Sequence, residues 1–464
     1  MRAASPVVAA TADAAPSSAS RPAVATQLPK RDAGAASSSS AVAAARDVAA
    51  YMEELQARAD ARRILEMEID DEHSRALPGY SVGKVIGEGG FCMVRIGVHH
   101  ASRRKVAIKV VDRQRLTDPN EAKRMQREIR VMKHLCHECV VRLFEVVETE
   151  KILYLVMEHA PNGSLLDFVR ARKRMREGDA AHALQQIVSG LDYCHQHEVV
   201  HRDIKLENIL LDASNRMKLI DFGLSAFYIV GKKLKVHCGS PSYAAPEIVA
   251  RKHYDGPPVD VWSLGVVLFA MLAGYLPFHT SNGNKQELCG KIMEGKYSAP
   301  ETVSPAARDL LQRMLTVDPA KRITLPDVLL HPWVQAAPKW EPTGGCIYDV
   351  SVDPRSGSVR ANEHVLASIA RSGLGSRTDV LQALLRGEAN TLTAHYYLLA
   401  EADEETQRER RRLGGGDGGG VGGGSGGHLA RRARSVASPS EALADLVAGE
   451  GGAATAAPRQ VVVL

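Results

Sequence analysis

Hydrophobic and polar positions follow mainly a strand period in one part of the chain and mainly a helical period after it. Between about residues 82 and 111, the runs VGKVIG, MVRIGVH and KVAIKVV alternate and are rich in β-branched residues, which predicts three strands, the first two joined by a glycine turn. A helix is predicted around Ala122 to His134, then two more strands in VVRLFEVVE and ILYLVME. After Gly163 the periodicities are mainly helical. The fold class is therefore α+β, with a small β-rich part ahead of a larger helical part.

The flanks read differently. Residues 1–45 are low-complexity Ala/Ser/Pro without the large apolar residues that offset ordering entropy, and are predicted disordered. From Arg46 to Glu68, Val48, Met52, Leu55 and Ala59 recur at spacings of four and three with no Gly or Pro between, so 46–79 is expected to be a helical extension. Residues 362–400 read as three short helices separated by Gly375 and by Gly387 to Asn390. A charged stretch, Glu401 to Arg412, and a Gly-rich linker, Gly414 to Gly427, follow, and 401–464 is expected to be a disordered tail.

Composition adds limits. The hydrophobic fraction of 45% and charged fraction of 24% suit a soluble globular chain. A net charge of +5 over 464 residues is too mild to call for nucleic acid as a partner. Seven scattered cysteines suggest reduced thiols in the cytoplasm or nucleus. Cys136 and Cys139 form a lone CxxC flanked by His134 and His137; a metal site is weighed there against a plain helix-to-strand connection, and the connection is preferred. The apolar run Val259 to Phe278 is long enough to cross a bilayer but contains Asp260; it reads as a buried core helix, and no membrane span is expected. The Ala/Ser-rich N-terminus also suits a transit peptide, with a disordered tail preferred. Arg2 stands where N-myristoylation requires glycine.

Five short motifs carry the chemistry: IGEGGFCMV from Ile86 to Val94, VAIK ending at Lys109, HRDIKLEN from His201 to Asn208, DFG from Asp221 to Gly223, and APE from Ala245 to Glu247. In this order they resemble the eukaryotic protein kinase family. GSPSYAAPE, DVWSLG, GYLPF and DPAKRIT followed by HPW look like its calmodulin-dependent/AMP-activated group of serine/threonine kinases. The resemblance implies a two-lobed catalytic domain over 80–334, with a β-rich small lobe and a helical large lobe. Residues 362–400 resemble the ubiquitin-associated-like module that follows the catalytic domain in relatives of the AMP-activated kinase.

The resemblance also implies roles. Ile86, Gly87, Glu88, Gly89, Gly90, Phe91, Cys92, Met93 and Val94 would form the loop over the ATP phosphates, with Gly87 and Gly89 allowing the tight turn. Val94 and Ala107 would cover the adenine from above and Leu210 from below; Glu158 and Ala160 fall at the hinge that bonds its edge. Lys109 would contact the α- and β-phosphates, oriented by Glu128 in preference to Glu121. Asp203 is the expected base and Lys205 the γ-phosphate contact that favours Ser/Thr substrates. Asn208 and Asp221 offer the oxygen donors that Mg²⁺ needs. Glu247 and Arg322 match a buried ion pair. ATP and Mg²⁺ are the implied cofactors, Ser/Thr proteins the substrates, and intracellular signalling the setting. The alternative is a pseudokinase or scaffold that uses the fold for protein binding.

Some residues depart from the family pattern. Cys92 replaces the third glycine of the loop; a sulfur there could crowd the nucleotide or be oxidised. Val236 stands where relatives carry a phosphorylatable threonine, so the phosphate that Arg202 would bind cannot form there. Activity is therefore expected without the usual loop phosphorylation. Ser164 replaces a glutamate that contacts ribose and a substrate arginine in relatives, while Glu207 is retained, and basic substrate flanks are expected. Lys232, Lys233 and Lys235 make the loop basic and could attract Asp403 to Glu405, against a simply solvated loop. Ser435, after RRAR, looks like a phosphosite or docking site. The 362–400 module is expected to pack on the back of the catalytic domain and to be the target of any regulatory partner.

Overall fold

The structure is a computed structural model that describes residues 69–89, 92–280, 283–342, 351–352 and 359–414. Most of the predicted extension, residues 46–68, lies outside the described residues, as do 1–45, 415–464 and Ser435. A short helix α1 (Asp71–Ala76), capped by Asp70, precedes the first strand.

The small lobe is a five-stranded antiparallel sheet of β1 (Tyr80–Glu88), β2 (Cys92–His99), β3 (Lys105–Asp112), β4 (Leu143–Glu148) and β5 (Ile152–Glu158), in the order β1-β2-β3-β5-β4. Its central strand β3 buries Val106, Ala107, Ile108, Val110 and Val111, as a strand covered on both faces requires. Lys109 lies mid-strand, opposite Val94 on one side and Leu155 on the other. Helix α2 (Pro119–His134) packs beside the sheet; Asp118 caps it through the Asn120 N–H, and Pro119 occupies the first turn, where no donor is needed. Its buried face is Met125, Glu128, Val131 and Met132.

The large lobe is helical: α3 (Leu165–Arg172), α4 (Glu177–Gln196), α5 (Pro246–Val249), α6 (Gly256–Ala273), α7 (Lys285–Glu294), α8 (Pro305–Met314), α9 (Leu325–Leu330) and α10 (Pro332–Gln335). Short strand pairs, β6 (Val199–Val200) with β9 (Ala226–Phe227) and β7 (Ile209–Leu211) with β8 (Met217–Leu219), shape the cleft loops. Helix α6 is the apolar run: long and apolar enough to cross a membrane by length and composition, it lies buried in the core. It stops at Gly274, whose φ of +85° and closeness to the Lys173 carbonyl leave no room for a Cβ.

Beyond the large lobe come α11 (Glu363–Arg371), α12 (Arg377–Leu385) and α13 (Thr391–Gly414). The first two are short and capped, by Asn362 and by a Ser376/Asp379 capping box. The third corrects the sequence expectation. It runs for 24 residues through the charged stretch that was expected to begin the tail. Glu404 with Arg408 and Asp403 with Gln407 bond at i,i+4, and no glycine interrupts before Gly414.

These helices share a core with the small lobe. Val365, Leu366, Ile369, Val380 and Tyr396 belong to one buried cluster with Val110, Phe144, Tyr154 and Val156. Polar bonds fix the same face. The Glu145 carboxylate accepts from the Tyr80 hydroxyl (2.9 Å) and the Thr391 hydroxyl (2.6 Å), the Val146 N–H donates to the Ala389 carbonyl (3.0 Å), and Arg104 pairs with Glu401 (2.8 Å). The Arg142 guanidinium sits 4.4 Å from the Tyr397 ring centre. The acids considered for the basic loop are engaged here instead: Glu405 with Arg104 (2.6 Å), Asp403 with Asn362 (3.0 Å) and Glu404 with Arg408 (2.7 Å).

The CxxC is a connection between α2 and β4. Cys139 is buried, its thiol pushed up to about 12 by desolvation, and the His137 ring bonds the Cys139 N–H and the Ser189 hydroxyl. Among the described residues no group of three or more His, Cys, Asp or Glu side chains is placed to hold a metal ion.

Candidate active site

The loop from β6 to β7 is held from below by one carboxylate. Asp260, fully buried on α6, accepts from the His201 N–H (2.9 Å), the Arg202 N–H (2.8 Å) and the His195 ring (2.8 Å). Burial pushes the Asp260 carboxyl up, but His195, His201 and these N–H donors outweigh it and hold it below its ordinary value. Two non-glycine residues of the cleft, Arg202 (φ +65°) and Asp221 (φ +63°), adopt left-handed backbone. Each costs of order 1–3 kcal/mol and persists only where surrounding bonds impose it.

Above this support stands Asp203, itself buried. Its Oδ2 accepts from Lys205 Nζ (2.6 Å) and Asn208 Nδ2 (3.1 Å), and its Oδ1 from the Ser240 N–H (2.9 Å) and hydroxyl (3.0 Å). Desolvation opposes ionisation, yet Lys205 and Ser240 outweigh it and hold the carboxyl below its usual range. Asn208 Nδ2 also donates to the Asp203 carbonyl (2.9 Å), which leaves the amide oxygen as its remaining acceptor. The Asn208 carbonyl accepts from Ile220 N–H (3.0 Å) and so sets Asp221, the next residue, beside the same loop. Asp221 is exposed, its Oδ1 accepting only a long bond from the Gly223 N–H (3.3 Å) among the described residues. Asn208 and Asp221 thus offer hard oxygens that are in no ion pair among the described residues, a donor set that fits Mg²⁺.

Across the cleft, Lys109 Nζ lies 2.7 Å from Glu128 Oε1, while Glu121 lies in the first turn of α2. Burial lowers the Lys109 ammonium, and Glu128, helped by Asp221, more than restores it, so it stays charged. In the glycine loop, the Gly89 N–H donates to the Cys92 carbonyl (2.8 Å), which closes the turn; Gly90 and Phe91 lie outside the described residues. Ile86 is exposed at the rim, and Gly87, Glu88, Met93 and Val94 pair across β1 and β2. Cys92 is half-buried at the start of β2. Ala107 sits on β3 opposite Ile96, and Leu210 on β7 opposite Lys218. Glu158 ends β5 with its N–H spent on the Arg142 carbonyl (2.9 Å) and its carboxylate on Lys218 (2.5 Å). Ala160, two residues on, is half-buried.

The Glu247–Arg322 pair is buried and two-pronged, at 2.8 and 3.0 Å, with the Pro258 carbonyl as a further acceptor (2.6 Å). Arg202, which faces Val236, is satisfied without phosphate. It donates to the carbonyls of Leu224 (2.7 Å) and Ser225 (3.4 Å) and to the Tyr254 hydroxyl (3.3 Å), which in turn donates to the Val236 carbonyl (2.7 Å).

Sequence reasoning missed three parts of this arrangement: Ser240 on Asp203, Tyr254 on Arg202, and Asp260 beneath both. Only Asp260 left a signal, since a lone carboxylate in an apolar helix needs buried partners.

Comparison with known proteins agrees with this geometry. The sequence model of the protein kinase domain matches residues 80–334. Similar proteins include the serine/threonine-protein kinase SIK2 of Gallus gallus, 38% identical over 326 residues, covering 70% of this chain and 40% of that protein. Others are the probable serine/threonine-protein kinase MARK-A of Dictyostelium discoideum, 47% identical over 258 residues (55% and 24%), and the carbon catabolite-derepressing protein kinase of Secale cereale, 40% identical over 337 residues (71% and 65%). The matched segment thus spans about a quarter to two thirds of these relatives. With the motif order, the cleft and the match over more than half its length, the chain belongs to the protein kinase family, in its serine/threonine, AMP-activated-kinase-related group.

Proposed function

We propose that this chain transfers the γ-phosphate of Mg·ATP to serine and threonine hydroxyls of proteins, and that it does so without phosphate on the loop before CGSP. The observation that carries the reading is the set of bonds on Asp203. Its carboxylate is fixed by Lys205, Asn208 and Ser240 and kept ionised, and the Ser240 hydroxyl on Oδ1 marks the acceptor position that an incoming hydroxyl would take over to hand on its proton. Positioning supplies most of the rate in such a transfer. Lys205 shares its ammonium between Asp203 and, at 3.3 Å, the Ser240 hydroxyl, within reach of charge that moves onto the transferred group. Lys109, held charged by Glu128, binds the other phosphates, while Asn208 and Asp221 are the residues that would hold Mg²⁺. The metal, when bound, neutralises charge between the phosphates.

Independence from loop phosphate is supported by Arg202. Its donors meet carbonyls and the Tyr254 hydroxyl, and Val236 itself is 63% exposed. In the same reading, the three C-terminal helices form a ubiquitin-associated-like brace on the small lobe. By stiffening β4 and β5 they take over part of the ordering that phosphate provides elsewhere, and they are where a regulatory partner would act.

The test is transfer of labelled phosphate from ATP to serine and threonine peptides by bacterially produced, phosphatase-treated full-length protein. Transfer that is lost in Asp203→Asn supports both parts. Mg·ATP binding without transfer would refute phosphate independence, and failure of both binding and transfer would leave a protein-binding module.

A further inference from the structure

A groove of about 440 Å³ opens beside Ser240, and its other walls come from α3, from Leu206 and Glu207, and from Tyr275 and Leu276 after α6. Ser240 also bonds Asp203, so the groove begins where the acceptor hydroxyl would lie and leads away from it. It is the place for the residues that flank the acceptor in an extended substrate.

The charges in this groove are unusual for a site that selects basic peptides. Helix α3 turns Leu166, Val169 and Arg170 toward it, at i, i+3 and i+4. Arg170 is exposed at this wall, and no carboxylate among the described residues lies within ion-pair distance of it. Its neighbours are engaged: Arg172 stacks 3.8 Å from the Phe168 ring centre, and Arg174 donates to the Thr302 hydroxyl (2.6 Å). Asp167, one turn before Arg170, is held by the Ser164 N–H (3.2 Å) and hydroxyl (2.5 Å) of the capping box; it feels the Arg170 charge but forms no ion pair with it. Ser164 itself is spent on that cap. The one carboxylate on the groove wall is Glu207, which accepts a long bond from the Tyr243 hydroxyl (3.4 Å).

We infer that Arg170 selects substrates with an anionic side chain, carboxylate or phosphate, at a fixed position in the flank, distinct from any basic residue that Glu207 takes. The inference rests on the proposed kinase activity and names the substrate class of that site. Arg170 acts on affinity for the flank and touches none of the reacting atoms. A partly exposed ion pair of this kind changes selectivity by about two- to fivefold and weakens with salt.

The experiment is a positional peptide scan with the full-length protein. A neutral serine peptide is varied at each position from five before to four after the acceptor, with Glu, phosphoserine, Gln or Arg. The expected result is one position at which Glu or phosphoserine lowers KM about two- to fivefold against Gln with kcat unchanged, an effect that shrinks at high salt. Arg170→Ala should abolish that preference and Arg170→Glu should turn it into a preference for Arg, both with unchanged kcat on the neutral peptide. Phosphoserine favoured and Glu not would assign the site to phosphate; both favoured would assign it to anions generally. Absence of an anionic preference at every position, or its survival in Arg170→Ala, overturns the inference while the kinase reading stands. No transfer to any peptide overturns both.

Discussion

Removing one oxygen tests the claim that the loop before CGSP is ordered without phosphate. Tyr254 is 2% exposed, and its hydroxyl joins Arg202 to the Val236 carbonyl. Tyr254→Phe keeps the ring and its packing but deletes the 2.7 Å bond to Val236 and the weaker 3.3 Å contact from Arg202. A neutral hydrogen bond is worth about 0.5–1.5 kcal/mol net. The Val236 carbonyl can turn to water because that residue is exposed, so the cost should stay within this range, up to about tenfold in the balance between ordered and open loop. The backbone bonds between Leu234 and Tyr254, at 2.8 and 3.2 Å, remain and report on the balance. Hydrogen exchange across 228–240 should accelerate by about three- to tenfold, and kcat should fall by no more than the same factor. Arg202→Lys, which loses the planar fork, should do at least as much. Unchanged exchange in both variants would refute the argument, because Arg202 and Tyr254 would then not hold the loop.

Other outcomes follow from the same contacts. Gly239 has φ +110°, and a Cβ there would lie 2.7 Å from the Arg202 carbonyl, so Gly239→Ala should cost about 1–3 kcal/mol locally and lower kcat well before it lowers the thermal midpoint. A chain truncated after Val334 exposes the β4 and β5 face that carries Phe144 and Tyr154; at about 1.5–3 kcal/mol for each of these two side chains and 2–4 °C per kcal/mol, the midpoint should drop by roughly 6–24 °C. Equal midpoint and rate would remove the C-terminal helices from the regulatory reading. His99 is fully buried against His395, and burial, aided by His395 and His100, lowers its pKa to about 3. Because the folded value lies below the unfolded 6.5, its stability contribution is present above pH 6.5 and is lost as pH falls toward 3. The loss at pH 5 should be about 2 kcal/mol, and His99→Phe should show a flatter fall in thermal midpoint between pH 7 and 5.

The residues proposed to meet the reacting groups were legible in the sequence where backbone holds them within a few positions. Asp203, Lys205 and Asn208 share one short loop, and DFG brings its own aspartate. The small-lobe strands were legible because alternation is local, and α2 because its apolar face repeats. The residues that keep those groups in place come from elsewhere in the chain. Ser240 reaches Asp203 across 37 positions and Tyr254 reaches Arg202 across 52, and neither stands out in its own neighbourhood. Charge pattern misled in the same way: three loop lysines and three acids after Glu401 suggested a pair, but sign says nothing of distance, and those acids serve Arg104, Asn362 and Arg408. Helix α13 was cut short in the sequence reading because a charged run resembles a tail until its i,i+4 pairs are counted.

One rule would have recovered part of what was missed. A polar group in an apolar segment must have buried partners, since burying it alone costs several kcal/mol. Applied to Asp260 in the run from Val259 to Phe278, it demands donors from outside the helix. The cleft loop supplies them, in the N–H groups of His201 and Arg202. The same rule applied to Arg170 gives the opposite outcome: an exposed guanidinium needs no internal partner and can wait for one from outside. A buried charge therefore points inward to what holds the site, and an exposed charge on a groove wall, in no ion pair among the described residues, points outward to what the site binds.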